Sequence, residues 1–328
     1  DVYKRQEYPG LGDYVTISGV VCIKSADNED MPSIPDSTFG VESGAHFTLD
    51  SVEIASAAIA SGGVGYFHNG RVERLENNGS GYLHATDSGC VGNTGFLSVV
   101  RGSMDTPCGD FWPFSDDDFE YPALSNQGYA SLDRVAVAGV GNTGTLAVSG
   151  STLRGYAYVI GDKPGDSSEY ELPALNNVTG EVDLARSIVF SSGGIWYDDA
   201  ASCLGPVNDL GYNVLGVGHG RHCDVTHPAS VEGDPEFETE YLGDWVGAEL
   251  SLGSPAIDLI PLDLCPETDA LGRPRTDGNG DGIVACDAGA LEFAGTGIVV
   301  KSPPFARDYG LVDLSTDSAL YVVFMSSA

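Results

Sequence analysis

The residues best suited to chemistry lie in a glycine-rich loop near the C-terminal end of the sequence, TDGNGDGIVACD. Asp277, Asn279 and Asp281 stand at alternate positions before a glycine, which satisfies the D-x-N-x-D-G half of a calcium-binding loop. The second half departs from the EF-hand pattern, because position 12 is Ala288 and only Asp287, at position 11, adds a carboxylate. We predict that these four oxygen-bearing residues bind Ca²⁺, with an Asp/Gly-rich turn free of metal as the alternative.

A second constellation combines two carboxylates with a histidine. Asp198 and Asp199 precede G-H-G at His219 by about twenty residues, which resembles the D-D and G-H-G motifs of the polygalacturonases. Such groups could act as acid, base and orienting group in an inverting hydrolase. The other polygalacturonase motifs are missing, since no N-T-D precedes Asp198 and no R-I-K follows His219. This enzyme is kept as the alternative to a non-catalytic protein.

Lyase and cofactor chemistry have less support in the sequence. A pectate-lyase mechanism needs a Lys or Arg base facing calcium. The four lysines, Lys4, Lys24, Lys163 and Lys301, lie in loop-like or terminal sequence. The six histidines show no metal-ligand spacing, and no organic cofactor is expected.

The charge balance excludes several partners. With 15 basic and 48 acidic residues the chain carries a formal net charge of -33, which repels nucleic-acid phosphates and anionic lipids. Apolar runs are far shorter than the ~18 residues of a membrane-spanning helix. Basic ligands, cations and salty surroundings remain compatible with this charge.

Short alternating apolar runs, bounded by Gly, Asn, Asp and Ser, recur along the chain and predict an all-β protein. VGNTGFLSVV from Val91 and VGNTGTLAVS from Val140 repeat one pattern 49 residues apart. We interpret this distance as two coils of roughly 20 to 25 residues, and predict a right-handed parallel β-helix in which Leu97 and Leu146 face inward two coils apart. An irregular pair of β-sandwiches is the alternative.

The chain divides into three parts on this interpretation. Residues 1–6, DVYKRQ, are interpreted as translated sequencing adapter, so the native N-terminus is expected to be lost. Residues 7–293 are assigned to the β-helix and 294–328 to a β-rich tail that is expected to be truncated. Residues 105–120 and 161–172 are predicted to be loops inserted between coils.

Seven cysteines without any C-x-x-C indicate an oxidising compartment. Sequence spacing predicts three disulfides, each closing a loop of about one coil. The pairs are Cys203 with Cys223, Cys265 with Cys286, and Cys90 with Cys108. Cys22 is left over.

The sequence from Ser187 to Phe293 is the most distinctive part of the chain. Its ordered motifs SIVFSS, ASCLGPVNDLGYNVLG, HCDVTHPASVEGDPEF, LGSPAIDL and TDALGRPRTDGNGDGIVACDAGALEF resemble the closing region of choice-of-anchor Q domain proteins. The resemblance covers a third of the chain and implies a bacterial exported protein with a pectate-lyase-like β-helix. PAIDLIPLD departs from the family, which has Gly soon after the Asp.

We interpret residues 248–293 as a cap over one end of the coils, with Ile257 and Leu291 as apolar plugs. Buried carboxylates at such an end would need Arg273 or Arg275 as partners, although a solvated surface is the default for any single charge. The protein expected is therefore an extracellular or cell-surface structural module without catalysis, either adhesin-like or in contact with extracellular polysaccharide or cell-surface glycan.

Overall fold

In the computed structural model, residues 15–17, 20–24, 33–105, 122–160, 168–192, 202–216, 223–237, 249–275, 282 and 284–293 are described. Within these ranges the protein is built almost wholly of β-strands, with one 3-10 turn at Leu262–Leu264. None of the helical structure there could cross a membrane. The predicted all-β class is confirmed.

The described strands are short and follow one another closely. In chain order they are β1 Val15–Ile17, β2 Val20–Lys24, β3 Ser33–Val41, β4 His46–Asp50, β5 Glu53–Ile59, β6 Val64–His68, β7 Arg71–Asn77, β8 Ser80–Asn93, β9 Phe96–Met104, β10 Leu124–Asn126, β11 Tyr129–Ala138, β12 Val140–Asn142, β13 Thr145–Ser149, β14 Thr152–Ile160, β15 Ser168–Leu172, β16 Leu175–Asn177, β17 Glu181–Ala185, β18 Ile188–Ser192, β19 Cys203–Leu204, β20 Asn208–Asp209, β21 Val214–Leu215 and β22 Val231–Glu232.

The strands pair in parallel and form three ladders. The first ladder runs through β2, β4, β6, the starts of β8, β9 and β11, then β13, β17 and β20. The second ladder runs through the starts of β5 and β7, the middle of β8, the ends of β9 and β11, then β14, β18, β21 and β22. The third runs through β1, the ends of β3, β5, β7 and β8, then β10, β12, β16 and β19. This arrangement is compatible with the predicted β-helix.

The coil length inferred from the sequence is wrong. Val64 pairs with Ser80 and Ser80 with Phe96, so the shortest repeat is 16 residues rather than 20 to 25. The 49-residue echo consists of one long step, from Phe96 to Tyr129, and one 16-residue step, from Tyr129 to Thr145. Residues inserted between β9 and β10 lengthen the first step. Division of the 49-residue distance into two equal coils therefore gave a coil length longer than the 16-residue repeat.

The core lies on the inner side of the ladders. Leu97 and Leu146 occupy one inward column two steps apart, joined through Ala130, and all three are fully buried. In the first ladder, as in β4, β13 and β17, inward apolar residues alternate with partly exposed ones, as a sheet with one buried face requires. The Leu97 and Leu146 prediction is confirmed.

A column of buried asparagines follows the ends of five strands in the third ladder. The amide Nδ2 of each donates to Oδ1 of the next at 2.7 to 2.9 Å, in the order Asn77, Asn93, Asn126, Asn142 and Asn177. Each amide also donates to backbone carbonyls at the following turn, such as Asn93 to Tyr129 O at 2.9 Å. The column therefore ties successive turns together inside the protein.

The C-terminal module lies along the side of the ladders, so the expected end cap is wrong in placement. Ala290 N donates to Thr152 Oγ1 of β14, and the side chain of Arg134 in β11 donates to Thr268 O. The outward side chains of Ile188 and Val214 pack with apolar residues of the module in a second buried cluster. The outward face of the second ladder therefore carries apolar side chains that are stabilised by burial. A cap placed only over the end of the coils would leave them exposed to solvent. Ile257 joins this cluster, whereas Leu291 is buried against the main core.

Two of the predicted disulfides are present. Cys203 bonds to Cys223 and Cys265 to Cys286, with Cα–Cα separations of 5.0 and 5.9 Å. Cys90 is disulfide-bonded as well, while its predicted partner Cys108 lies outside the described residues. Segment 161–172, predicted as a loop, ends in β15, which pairs antiparallel with β14.

Candidate functional site

Most residues of the two constellations predicted from the sequence lie outside the described residues. This is so for the calcium-loop residues Asp277, Asn279 and Asp281, and for Asp198, Asp199 and His219 of the hydrolase alternative. Among the described residues no group of three or more His, Cys, Asp or Glu side chains could hold a metal ion.

Asp287 is the one predicted calcium ligand that the structure describes. It is buried, and its two carboxylate oxygens accept hydrogen bonds from the backbone N–H groups of Asp258 and Phe293. Burial, followed by the nearby carboxylate of Glu292, raises the pKa of Asp287 to about 7. Asp287 therefore holds two segments of the module together, whatever its role toward an ion.

Both arginines of the module pair with buried carboxylates. Arg273 Nε donates to Asp269 Oδ2 at 2.6 Å, and Arg275 pairs with Glu292. Asp269 is fully buried and the Arg275 and Glu292 side chains are only 4% exposed. The predicted guanidinium partners are confirmed, and the solvated surface expected for a single charge is wrong for these four residues.

A further buried carboxylate, Asp209 of β20, was missed by the sequence analysis. It accepts from the backbone N–H groups of Gly211, Thr226 and His227 and from the side chains of Asn213 and Ser230. Burial alone would raise the pKa of Asp209, but the hydrogen bonds from Ser230, His227, Asn213 and Thr226 outweigh it and hold the pKa below its usual value. Asp209 organises a turn and is not exposed to a ligand.

The outward face of the first ladder carries a strip of four aromatic rings, Tyr66, Tyr82, Phe96 and Tyr129. Tyr66 stacks on Tyr82 with ring centroids 4.8 Å apart, and Phe96 stacks on Tyr129 at 5.3 Å. Tyr82 joins the two pairs through a tilted contact with Phe96 at 5.6 Å. Phe96 and Tyr129 remain 37% and 40% exposed, which is high for such large rings. We call these four residues the aromatic strip.

Two histidines lie beside the aromatic strip, two residues further along strands β6 and β8, and an arginine of β9 contacts one of them. The rings of His68 and His84 are 5.8 Å apart, and Arg101 Nη2 lies 3.2 Å from His84 Nε2. Burial, then the positive charges of Arg101, His68 and Arg134, lower the pKa of His84. His84 is therefore neutral near pH 7 and accepts a hydrogen bond from Arg101.

A polar cleft of about 310 Å³ opens where this face meets the C-terminal module. Its lining includes Asp133 and Ser149 of the first ladder, Arg186, Asp263 of the module and Arg275. Arg186 donates to Leu264 O and Ser149 Oγ, each at 2.7 Å, which ties the module to the ladder. The aromatic strip, the His68–His84–Arg101 group and this cleft thus lie along neighbouring columns of one surface.

A local repeat could have located the strip from the sequence. VGYFH from Val64 and SGYLH from Ser80 match at 16-residue spacing and place Tyr and His on one face. Phe96 and Tyr129 give no such signal, because their position beside Tyr82 depends on strand register. The cleft depends on long-range packing and has no signature in the sequence.

The fold and surface place this chain in the class of nearly all-β proteins with a large parallel sheet. Comparison with protein-family models, with characterised proteins and with solved structures finds no match for any of them.

Proposed function

We propose that this chain is an extracellular, right-handed parallel β-helix that binds glycans through the outward face of its first ladder, without catalysis. This proposal includes the choice-of-anchor Q domain family, which residues 187–293 resemble. The three parallel ladders, the 16-residue repeat and the asparagine column support the β-helix. Disulfides support an oxidising environment outside the cytosol.

The exposed aromatic strip is the observation that carries the binding proposal. Tyr and Phe rings offer a sugar large, rigid contact area at low conformational cost, and the Tyr hydroxyls add hydrogen bonds. The strip crosses four strands of the first ladder, at ~4.8 Å per strand, and so is roughly 14 Å long. That length suits an oligosaccharide lying along the ladder.

The polar groups beside the strip define the character of the ligand. Neutral His84, Ser98 and Ser131 supply donors and acceptors on the same face. The net charge of -33 disfavours a polyanion. The ligand proposed is therefore a neutral glycan, bound through ring contacts and hydroxyl hydrogen bonds.

The stacking of the rings in the aromatic strip favours binding without catalysis. The rings pair along the ladder, so they present edges and outer faces rather than an enclosed pocket around a scissile bond. Calcium bound at Asp277, Asn279 and Asp281 is proposed to stabilise the C-terminal module.

A glycan array tests this proposal, run with and without calcium and beside an assay for newly formed reducing ends. The proposal predicts binding to neutral glycans by the wild type and no release of reducing ends. Val178→Ser is the matched control for strip variants, since Val178 is a 66%-exposed apolar residue in a turn of the third ladder. Release of reducing ends that Asp199→Asn abolishes would instead establish the hydrolase alternative.

A further inference from the structure

Arg154 of β14 is a fully buried cation that belongs to the second ladder, whereas the aromatic strip belongs to the first. Its side chain lies on the outward face of the second ladder, in register with Ala138 on one neighbouring strand and Phe190 on the other. Only 1% of its surface is exposed. The ring of Phe237 covers the guanidinium, with the central carbon 4.6 Å from the ring centroid.

Most of the hydrogen-bond donors of this guanidinium have no acceptor. Nε, with one N–H, and Nη1, with two, make no hydrogen bond, so three of the five donors of the group are unpaired. Burial lowers the pKa of Arg154 to about 10, which still leaves the group charged at pH 7. A buried charge with unpaired donors is strongly destabilising unless something compensates it.

The same protein pairs its other buried guanidiniums with carboxylates. Arg275 has Glu292, and Arg273 has Asp269, in both cases with direct ion pairs. No described carboxylate bonds to Arg154, whose described surroundings are aromatic and apolar. The Phe237 ring face stabilises the positive charge but accepts none of the in-plane N–H bonds.

We propose that Arg154 is the binding site for one small inorganic monoanion, and that chloride is its ligand. An anion compensates both the charge and the unpaired donors, whereas a water molecule would satisfy only the donors. A single guanidinium neutralises one negative charge, so a divalent anion would leave a buried excess charge. Because Arg154 is only 1% exposed and the Phe237 ring lies over its guanidinium, a large ligand could not reach it, and the ligand is restricted to a small ion. This site is independent of the proposed glycan surface.

The test compares thermal unfolding in sodium chloride and in sodium isethionate, whose anion is large, at equal ionic strength. Because the ion binds only the native state, each tenfold rise in chloride above Kd should raise Tm by roughly 2 °C beyond the isethionate value. Arg154→Met, which keeps an apolar side chain of similar length, should abolish the difference between the two salts. Arg71→Met, at a partly exposed arginine, should leave it unchanged.

A second measurement does not depend on any variant folding. Crystals of the wild type grown in bromide should show an anomalous peak within hydrogen-bond distance of Arg154 Nε or Nη1. Equal Tm values in the two salts, or absence of that peak, would overturn the proposal. A double-mutant cycle gives another outcome that would overturn it. If Glu238→Gln or Glu240→Gln lowered the Tm of the wild-type protein but not that of the Arg154→Met variant, an ion pair within the chain would compensate the charge of Arg154.

Discussion

Removal of one asparagine from the middle of the buried column should destabilise the whole protein. Asn126 is fully buried and accepts a hydrogen bond from Asn93 Nδ2 at 2.7 Å. Its own Nδ2 donates to Asn142 Oδ1 at 2.7 Å, to Thr145 O at 3.0 Å and to Gly128 O at 3.3 Å. Asn126→Ala deletes all four hydrogen bonds and leaves a small cavity. The perturbation therefore acts on three consecutive strands of the third ladder at once.

The expected magnitude follows from the groups left without a partner. Asn142 Oδ1 and Thr145 O each lose a buried donor, at about 1 to 3 kcal/mol each, while Asn93 Nδ2 keeps its bond to Tyr129 O. Together these changes should lower the free energy of unfolding by about 3 to 5 kcal/mol. Asn126→Asp should cost more, because it places a carboxylate oxygen against Asn142 Oδ1 in a buried site.

Urea unfolding followed by circular dichroism measures this free energy, provided that the m-value is unchanged. Asn176→Ala is the matched control, since Asn176 is partly exposed and precedes the column residue Asn177 in β16. The control should change stability by less than about 1 kcal/mol. If Asn126→Ala were no more destabilised than Asn176→Ala, the column would not hold the coils together.

Three further outcomes are expected. Because the pKa of Asp209 is lowered in the folded protein, its hydrogen bonds stabilise the protein above about pH 4, and this stabilisation is lost as the pH falls through the folded pKa. Asp209→Asn should therefore lower the free energy of unfolding at pH 7 and make acid unfolding less dependent on pH. Because the pKa of Asp287 is raised to about 7 in the folded protein, its contribution to stability is complete below about pH 4 and is lost as the pH rises to 7. Tm measured from pH 4 to pH 7 should therefore fall less in Asp287→Asn than in the wild type. An equal fall of Tm with pH in both proteins would contradict the raised pKa. EDTA should lower the Tm of the wild type but not of Asp281→Ala, and calorimetry that detects no calcium binding would show the loop to be only a turn.

The fold class could be predicted from the sequence because its signals are local. Alternation two residues apart involves neighbouring residues, each copy of the VGNTG pattern is a short continuous run, and each predicted disulfide closes a single short loop. The β-strands, the inward positions of Leu97 and Leu146, and two disulfides follow from them. The sequence also shows an asparagine in each VGNTG segment, but the burial of this residue depends on how successive strands pack on one another.

The coil length and the surface could not be obtained in the same way. Insertions of unequal length separate the 16-residue steps, so one long echo averages over them. The aromatic strip arises from register between strands up to 33 residues apart, and the module settles on the flank because Ile188 and Val214 face outward there. Which side of a strand faces outward, and what covers it, depends on contacts far apart in sequence.

The most direct test of the account is the affinity of the aromatic strip for a neutral oligosaccharide selected on the array. Isothermal titration should show that Tyr82→Ser combined with Tyr129→Ser weakens binding at least tenfold, since two ring contacts of about 1 kcal/mol each are lost. Val178→Ser should bind like the wild type, and all three proteins should give the same circular dichroism spectrum. Unchanged affinity in the folded double variant would contradict a glycan site on the first ladder.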